Sequence, residues 1–193
     1  MTPADIDASE HWLAGSIPAV CRVMADVLNF HEAFIDGLRD TYDAERQLSR
    51  ALPMLAESAT SPVLRSVIES HLEETREHVT RLEQVLWLLD ESARDTHCQG
   101  MAAILDESMS ILAADLDDQA MDEHVMGSMQ RVEQYEKAAY TTLVAWADRM
   151  RHSDVAGLLR LTLEDEMHAD EALSTLPEAR YMTVAAPRGA SRA

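Results

Sequence analysis

The chain has 193 residues, of which 47% are apolar but only 5% aromatic, and its 16 basic and 35 acidic side chains give a net charge of −19. This length suits one well-buried domain, and the abundance of Ala, Leu, Glu and Met favours helices over sheets. The negative charge repels phosphate backbones and anionic lipids, so we expect neither nucleic acids nor membranes among the partners.

The two cysteines, Cys21 and Cys98, are too few for a disulfide framework and are typical of a reducing compartment. The first residues, Met1–Glu10, are acidic and lack the basic-then-apolar order of a signal peptide. No apolar run approaches the length needed to span a bilayer. These features predict a soluble, cytoplasmic protein.

The two ends of the chain differ from its middle. Residues 1–25 contain two prolines and a glycine with weak apolar periodicity, and we interpret them as a variable N-terminal extension. Residues 26–177 carry the helical patterns and are predicted to form the folded domain. Residues 178–193, which include a Pro- and Gly-bearing stretch, are predicted to be a disordered tail.

Apolar residues at alternating three- and four-residue spacing predict a first helix over about residues 29–58, with Pro53 inside it. The Thr60-Ser61-Pro62 triplet ends this helix and begins a second one, because Ser and Thr cap helices well and Pro suits a first turn. The second helix is predicted to run to about Glu91.

A polar break precedes a shorter helix, predicted over about residues 98–115. A third long helix is predicted over about residues 120–151, and His152-Ser153-Asp154 joins it to a fourth that runs to about Leu176. Short connections make each pair of long helices antiparallel neighbours, whereas the long middle connection can cross the length of the bundle. The pattern predicts an all-α, ferritin-like four-helix bundle: two antiparallel hairpins joined by a crossover that contains a short fifth helix.

Each long helix places one glutamate in the middle of a largely apolar stripe: Glu45, Glu74, Glu136 and Glu166. An unpaired carboxylate in a bundle interior costs several kcal/mol or takes up a proton. Four such groups need cations or shared protons, and a pair of metal ions meets that need.

Helical geometry identifies further candidates beside these glutamates. At about 100° per residue, His71 and His78 lie on the same face as Glu74. Glu133 and Tyr140 lie one turn before and one turn after Glu136. Further along, Asp170 faces the same way as Glu166, whereas His168 lies about 200° from Glu166 and is rejected as a ligand.

Simpler explanations exist for several of these residues. Glu45 taken alone suits an edge residue whose carboxylate reaches solvent, and His71 and His78 are each either metal ligands or histidines with satisfied hydrogen bonds. The remaining acidic residues near the stripes are interpreted as a solvated face: Glu73, Glu77, Glu83, Glu164 and Asp165.

Several stretches of the sequence, in their order and spacing, resemble the YciE/YciF family of bacterial ferritin-like proteins. The resemblance covers about residues 26–177 and rests on these stretches: Thr41–Leu48, His71–Thr75, Val132–Tyr140, Thr162–Glu166 with Asp170, and Cys98–Met101 at the start of the crossover helix. It implies a rubrerythrin-like di-iron bundle, a bacterial origin, an association with stress responses and a homodimer.

The resemblance also implies a set of metal ligands. These are Glu45, Glu74, Glu133, Glu136, Glu166 and Asp170. We add His78 from its place on the helix face, with His71 as a further candidate. An oxygen-rich site of this kind suits manganese as well as iron.

The leading hypothesis is therefore a protein that holds two iron ions, with manganese as the alternative, and acts in a stress response by oxidising ferrous iron or handling oxygen or peroxide. Such an enzyme would be ferroxidase- or peroxidase-like. Tyr140 would either act beside the site or pack with a satisfied hydroxyl. The sequence has no rubredoxin-like cysteine pairs, so electrons would come from a separate partner.

The second hypothesis is a non-enzymatic helical stress or interaction protein with a structural or vestigial metal site. A large iron-storage shell ranks last, since nothing in the sequence indicates cage-forming contacts.

Overall fold

The structure, a computed structural model, describes residues 29–93 and 96–184, with side chains through Leu176. Its helices in chain order are α1 Phe30–Ser58, α2 Pro62–Leu88, α3 Gln99–Leu112, α4 Asp118–Arg149 and α5 Ser153–Val184. No helix among the described residues is long and apolar enough to cross a membrane. The predicted N-terminal extension, residues 1–25, and the last residues of the predicted tail, 185–193, lie outside the described ranges.

The chain divides into two compact units, Met1–Ala33 and Phe34–Ala193. In the described part of the first unit, reciprocal hydrogen bonds of 2.8 and 3.0 Å between Asn29 and Glu32 cap the start of α1. The second unit holds the rest of α1 and the other four helices. The domain boundaries placed at residues 25 and 177 stay predictions, and α5 continues past the predicted end near Leu176.

The helices begin where the sequence supplies caps. The Ser61 side chain accepts a hydrogen bond from the Leu64 N–H, and Pro62 fills the first turn of α2, as predicted. Asp117 caps α4 by accepting a 2.8 Å hydrogen bond from the Ala120 N–H. The sequence therefore locates the helix starts through ordinary capping chemistry.

The predicted architecture of two antiparallel hairpins and a crossover is confirmed. Near the start of α4, the buried Asp122 carboxylate accepts hydrogen bonds from the N–H groups of Thr60 (2.7 Å) and Ser61 (3.1 Å). The α1–α2 turn and the start of α4 thus lie at the same end of the bundle. The crossover has carried the chain back along the bundle length, so α2 and α4 run parallel.

The crossover helix α3 is anchored at its first turn. The Asp43 carboxylate accepts a 2.9 Å hydrogen bond from the Cys98 N–H, and the Cys98 thiol donates to Asp40 at 3.2 Å and lies 3.0 Å from the Tyr135 hydroxyl. A Cβ atom at Gly100 would lie 2.7 Å from the Tyr135 ring, so glycine permits this close approach. These contacts hold the crossover against α1 and α4.

The interior contains two apolar clusters separated by polar side chains. One cluster includes Leu48, Leu52, Ile68, Met129 and Leu173, and the other includes Phe34, Leu38, Leu82, Leu143 and Leu159. Three helices carry buried polar residues between the positions that feed the two clusters. These are His71, Thr75 and His78 of α2, Glu133 and Glu136 of α4, and Thr162 and Glu166 of α5. The bundle therefore buries a polar layer in the middle of its core.

Candidate metal centre

Six carboxylate and imidazole side chains meet in this buried layer, and none of the six residues is more than 2% exposed. They come from α1, α2, α4 and α5 and are Glu45, His71, His78, Glu133, Glu136 and Glu166. All six were candidates from the sequence.

The six residues form two overlapping groups. Ligand atoms of His71, Glu133, Glu136 and Glu166 lie within 4.8 Å of one another, and so do those of Glu45, His78 and Glu166. We name these groups the His71 position and the His78 position. Glu166 belongs to both, which is the arrangement of a carboxylate that bridges two ions.

Each histidine turns one ring nitrogen toward the carboxylates. His71 Nε2 lies 3.5 Å from Glu133 Oε1 and 3.7 Å from Glu136 Oε2. His78 Nδ1 lies 2.9 Å from Glu166 Oε1 and 3.5 Å from Glu45 Oε1. Nitrogen and oxygen donors thus converge from different helices on each position.

The cluster holds many unsatisfied polar atoms. Among the described residues, every buried side-chain nitrogen or oxygen without a hydrogen-bond partner belongs to these six side chains. Both nitrogens of each histidine and both oxygens of Glu133, Glu136 and Glu166 are in this state. Native interiors rarely leave such atoms unpaired, and a cluster of them fits a site built for ions.

Burial makes ionisation of the carboxyl groups unfavourable in the absence of a cation. Burial raises the pKa of Glu136 well above its ordinary value, and the charges of Glu166 and Glu45 raise it further. Burial also raises the pKa of Glu133 to about 8, although the charge of His71 opposes this rise. The pKa of Glu45 is raised by burial as well. Without a metal, Glu45, Glu133 and Glu136 would therefore hold protons more readily than ordinary carboxyl groups do.

Burial acts on the pKa of a histidine in the opposite direction, because it disfavours the charged imidazolium form. Burial alone lowers the pKa of His78, but the Glu166 and Glu45 carboxylates outweigh it and raise the pKa to about 10. The pKa of His71 is likewise raised well above its usual range, because Glu136 and Glu74 outweigh burial. A divalent cation would displace these protons and take over their charge compensation.

Tyr140 packs against the two side chains Glu45 and His78 of the His78 position. Its hydroxyl donates a 2.5 Å hydrogen bond to Glu45 Oε1, and its ring lies edge-on to His78 with 6.3 Å between the ring centroids. The side chain is fully buried, and burial raises its pKa well above 10.0. Tyr140 therefore fixes the orientation of Glu45.

The outward nitrogen of His78 faces a braced carboxylate. His78 Nε2 lies 3.4 Å from Asp165 Oδ2. Arg81 Nη1 donates to the same oxygen at 3.0 Å and to Thr162 Oγ1 at 2.6 Å. Metal-bound histidines usually point their other N–H at such a carboxylate, which sets the tautomer. No pattern in the sequence indicates this role for Asp165, since Asp165 meets His78 only across the α2–α5 contact.

Glu74 takes the corresponding place beside His71. Its Oε2 lies 3.7 Å from His71 Nδ1, the nitrogen that faces away from the cluster, and its side chain is 42% exposed. The structure therefore does not bring Glu74 into either ligand group. His71 and Glu74 lie about 60° apart on the helix, and it is the histidine that points inward.

Asp170 also lies outside both ligand groups. Its carboxylate pairs with Lys137 at 2.5 Å and accepts a 3.0 Å hydrogen bond from Gln134. These cationic and amide partners on α4 hold it away from the cluster. His168, which the sequence rejected as a ligand, is exposed and belongs to neither group.

Comparison with known proteins gives consistent matches along most of the chain. Residues 29–186 match a family described as a domain of unknown function, DUF892. Protein YciF of Escherichia coli K12 is 33% identical over 146 residues, which cover 75% of this chain and 88% of that protein.

Two solved structures resemble the fold closely. YcfI from Rhodopseudomonas palustris matches with a TM-score of 0.76 and 34% identity, over 79% of this chain and 97% of that one. The E. coli stress protein YciF matches with a TM-score of 0.75 and 32% identity, over 77% of this chain and 94% of that one.

Proposed function

The chain belongs to the DUF892 family of YciF-like proteins, and on that premise we propose that it holds two divalent metal ions, iron with manganese as the alternative, and acts in a bacterial stress response. The ligands would be Glu45, His71, His78, Glu133, Glu136 and Glu166. The relative YciF is described as a stress protein. The proposed location is cytoplasmic and the proposed assembly a homodimer.

One observation carries the metal proposal: the unpartnered buried nitrogen and oxygen atoms all belong to these six side chains, among the residues that the structure describes. A buried polar atom without a partner costs about 1–3 kcal/mol, and more when it is charged. Cations placed among the six side chains would give these atoms partners and remove that cost. The donor set is mostly carboxylate oxygen with one imidazole per position, which suits iron and manganese.

The six side chains would have different roles in binding the ions. Glu166 would bridge the two positions, while Glu45, Glu133 and Glu136 would balance positive charge and each imidazole would complete one position. A bound iron pair supplies one-electron redox chemistry toward oxygen or peroxide. We therefore propose a ferroxidase- or peroxidase-like oxidoreductase, with Tyr140 positioning Glu45 and a separate protein supplying electrons.

A structural role is the second candidate. The polar layer interrupts the apolar core in the middle of the bundle, so ions that neutralise it would stabilise the fold without any turnover. The relative YcfI is described as a proposed structural protein.

The first test is anaerobic loading of the metal-free protein with ferrous iron or Mn²⁺, followed by metal analysis. Wild type should bind two ions per chain, one for each group. Glu136→Gln should lose the His71 position, because it removes one charged donor there. Glu164→Gln, at an exposed residue of α5, is the matched control and should bind as wild type.

The outcomes separate the candidates. Two bound ions that oxidise ferrous iron with oxygen or peroxide support the enzyme. Two bound ions that raise the unfolding temperature without turnover support the structural role. Failure of wild type to bind any ion contradicts both.

A further inference from the structure

A cavity of about 250 Å³ lies between α2, α4 and α5, next to the His71 position. Much of its wall is apolar and is formed by Val67, Met129, Ala169, Ala172 and Leu173. Small-molecule sites in proteins share this character, being concave and mostly apolar with a few polar groups.

The polar residues of the cavity divide into an inner and an outer set. His71 and Glu133, both members of the His71 position, line the cavity and are only 2% and 0% exposed, so they mark its inner end. Ser70 and His168 are exposed and Glu74 is half-buried, so they mark its open side. A molecule entering between these outer residues would reach the two metal-facing side chains.

The His78 position has different surroundings. Tyr140 packs beside it, and Asp165, held by Arg81, lies against the outer nitrogen of His78. The two positions are therefore unequal in what can approach them.

We propose that this cavity binds a small, neutral, largely apolar molecule beside the His71 position. The proposal rests on the proposed metal centre and names the class of substrate or ligand that the centre receives. The volume exceeds the roughly 150 Å³ of an apolar cavity that holds benzene, and it falls below the roughly 300 Å³ at which drug-sized sites begin. The carboxylate of Glu74 at the open side disfavours anions, and the apolar wall disfavours charged groups of either sign. Together these two effects favour a neutral molecule.

The first arm of the test uses benzene as the probe and the metal-free protein. Benzene should shift the methyl NMR signals of Val67, Ala169, Ala172 and Leu173. Ala169→Phe fills the cavity and should weaken benzene binding at least tenfold. Ala172→Phe, at an exposed residue, should block the cavity from its open side and weaken benzene binding as well. It replaces Ala169→Phe in the test if that variant fails to fold. Ala138→Phe adds the same ring to an exposed residue of α4 and should leave binding unchanged.

The second arm uses the protein loaded with Mn²⁺, whose unpaired electrons speed the relaxation of nearby protons. Benzene protons should relax several-fold faster with wild type and Ala138→Phe than with the two filled variants. Equal relaxation in all four proteins would overturn the proposal, as would the absence of methyl shifts in the first arm.

The remaining outcomes are also decisive. Benzene binding by a protein that binds no Mn²⁺ refutes the metal centre and, with it, the role of the cavity as that centre's pocket. A different outcome is that wild type does not bind benzene and that the two filled variants take up Mn²⁺ more slowly than wild type. The cavity would then be a path for ions, and the proposal would be refuted.

Discussion

The His71 and His78 positions share Glu166 but differ in how the protein supports them. At the His78 position, Tyr140 holds Glu45 through a 2.5 Å hydrogen bond, and Arg81 holds Asp165 against the imidazole. At the His71 position, a 42% exposed Glu74 faces the outer nitrogen, and a cavity borders the ligands. One half of the cluster is braced by neighbours, and the other is open to a visiting molecule.

A metal centre that reacts with a small molecule has to hold its ions and also admit that molecule. The two positions differ in which of these requirements their surroundings meet. Ligands locked by outer hydrogen bonds keep their geometry and hold an ion tightly. Ligands beside a cavity leave room for an exchangeable molecule, at the cost of looser positioning. We therefore expect the His78 position to retain its ion longer and the His71 position to meet small molecules.

The largest effect should follow from Glu166→Gln, because Glu166 is the residue that both groups share. We expect loss of tight binding at both positions, seen as a fall from two ions per chain to none at micromolar free Mn²⁺. Glu45→Gln, which removes a carboxylate from the His78 position alone, should retain one ion. Retention of one ion by Glu166→Gln would show that the positions are independent and that Glu166 is not a bridge.

A smaller effect should follow from Asp165→Asn. Loss of an outer carboxylate typically weakens metal binding about 10–100-fold, and here the loss should be confined to the His78 position. Glu74→Gln should instead weaken the His71 position. The check is Mn²⁺ titration of wild type and both variants, in which each variant should lose affinity at one position only.

Glu164→Gln is the control for charge in that experiment, since it removes one negative charge from the neighbouring residue of α5. Equal weakening by Asp165→Asn and Glu164→Gln would mean that net charge, and not orientation of His78, sets the affinity.

The smallest effect concerns the stability of the metal-free protein as pH changes. In the folded state the pKa of Glu133 rises from 4.5 to about 8, and that of His78 from 6.5 to about 10. Both groups bind more protons folded than unfolded between pH 7 and 8, so the free energy of unfolding should fall as pH rises, by about 1 kcal/mol for each group over this interval. Urea unfolding in the presence of a chelator measures it.

The same experiment distinguishes the two halves. The contribution of Glu133, in the His71 position, should be lost as pH rises through about 8, and that of His78 through about 10. Glu133→Gln should therefore flatten the lower part of the curve and leave the upper part. A metal-free protein whose stability rises over pH 7–9 would contradict both assignments.

The sequence predicted the helices and their topology because those depend on local signals. The Thr60-Ser61-Pro62 stop, the capping residues and the unequal connection lengths are enough to define two hairpins and a crossover. Glu45, Glu136 and Glu166 also followed from the sequence, since a carboxylate in an apolar stripe is conspicuous in a single helix.

The sequence was less informative where the packing of two helices determines the direction and the partners of a side chain. Helical angles place His71 and Glu74 on one face, but the approach of α4 determines which of them points inward. Asp170 shares a face with Glu166, yet Lys137 of α4 captures its carboxylate. Asp165, interpreted as solvated, gains its neighbour His78 from the packing of α5 against α2. Such pairings depend on tertiary structure and leave no periodic pattern in the chain.

The distribution of ligands over the hairpins has a consequence for chain connectivity. Each position draws on both hairpins: His71 joins Glu133, Glu136 and Glu166, and the pair Glu45 and His78 joins Glu166. An ion at either position would thus be a reversible cross-link that spans the crossover and, like a disulfide, restricts the unfolded chain. The entropic cost of bringing the two ends of the crossover together grows only slowly with the crossover's length. With such links in place, we therefore expect the alignment of the two hairpins to depend little on that length.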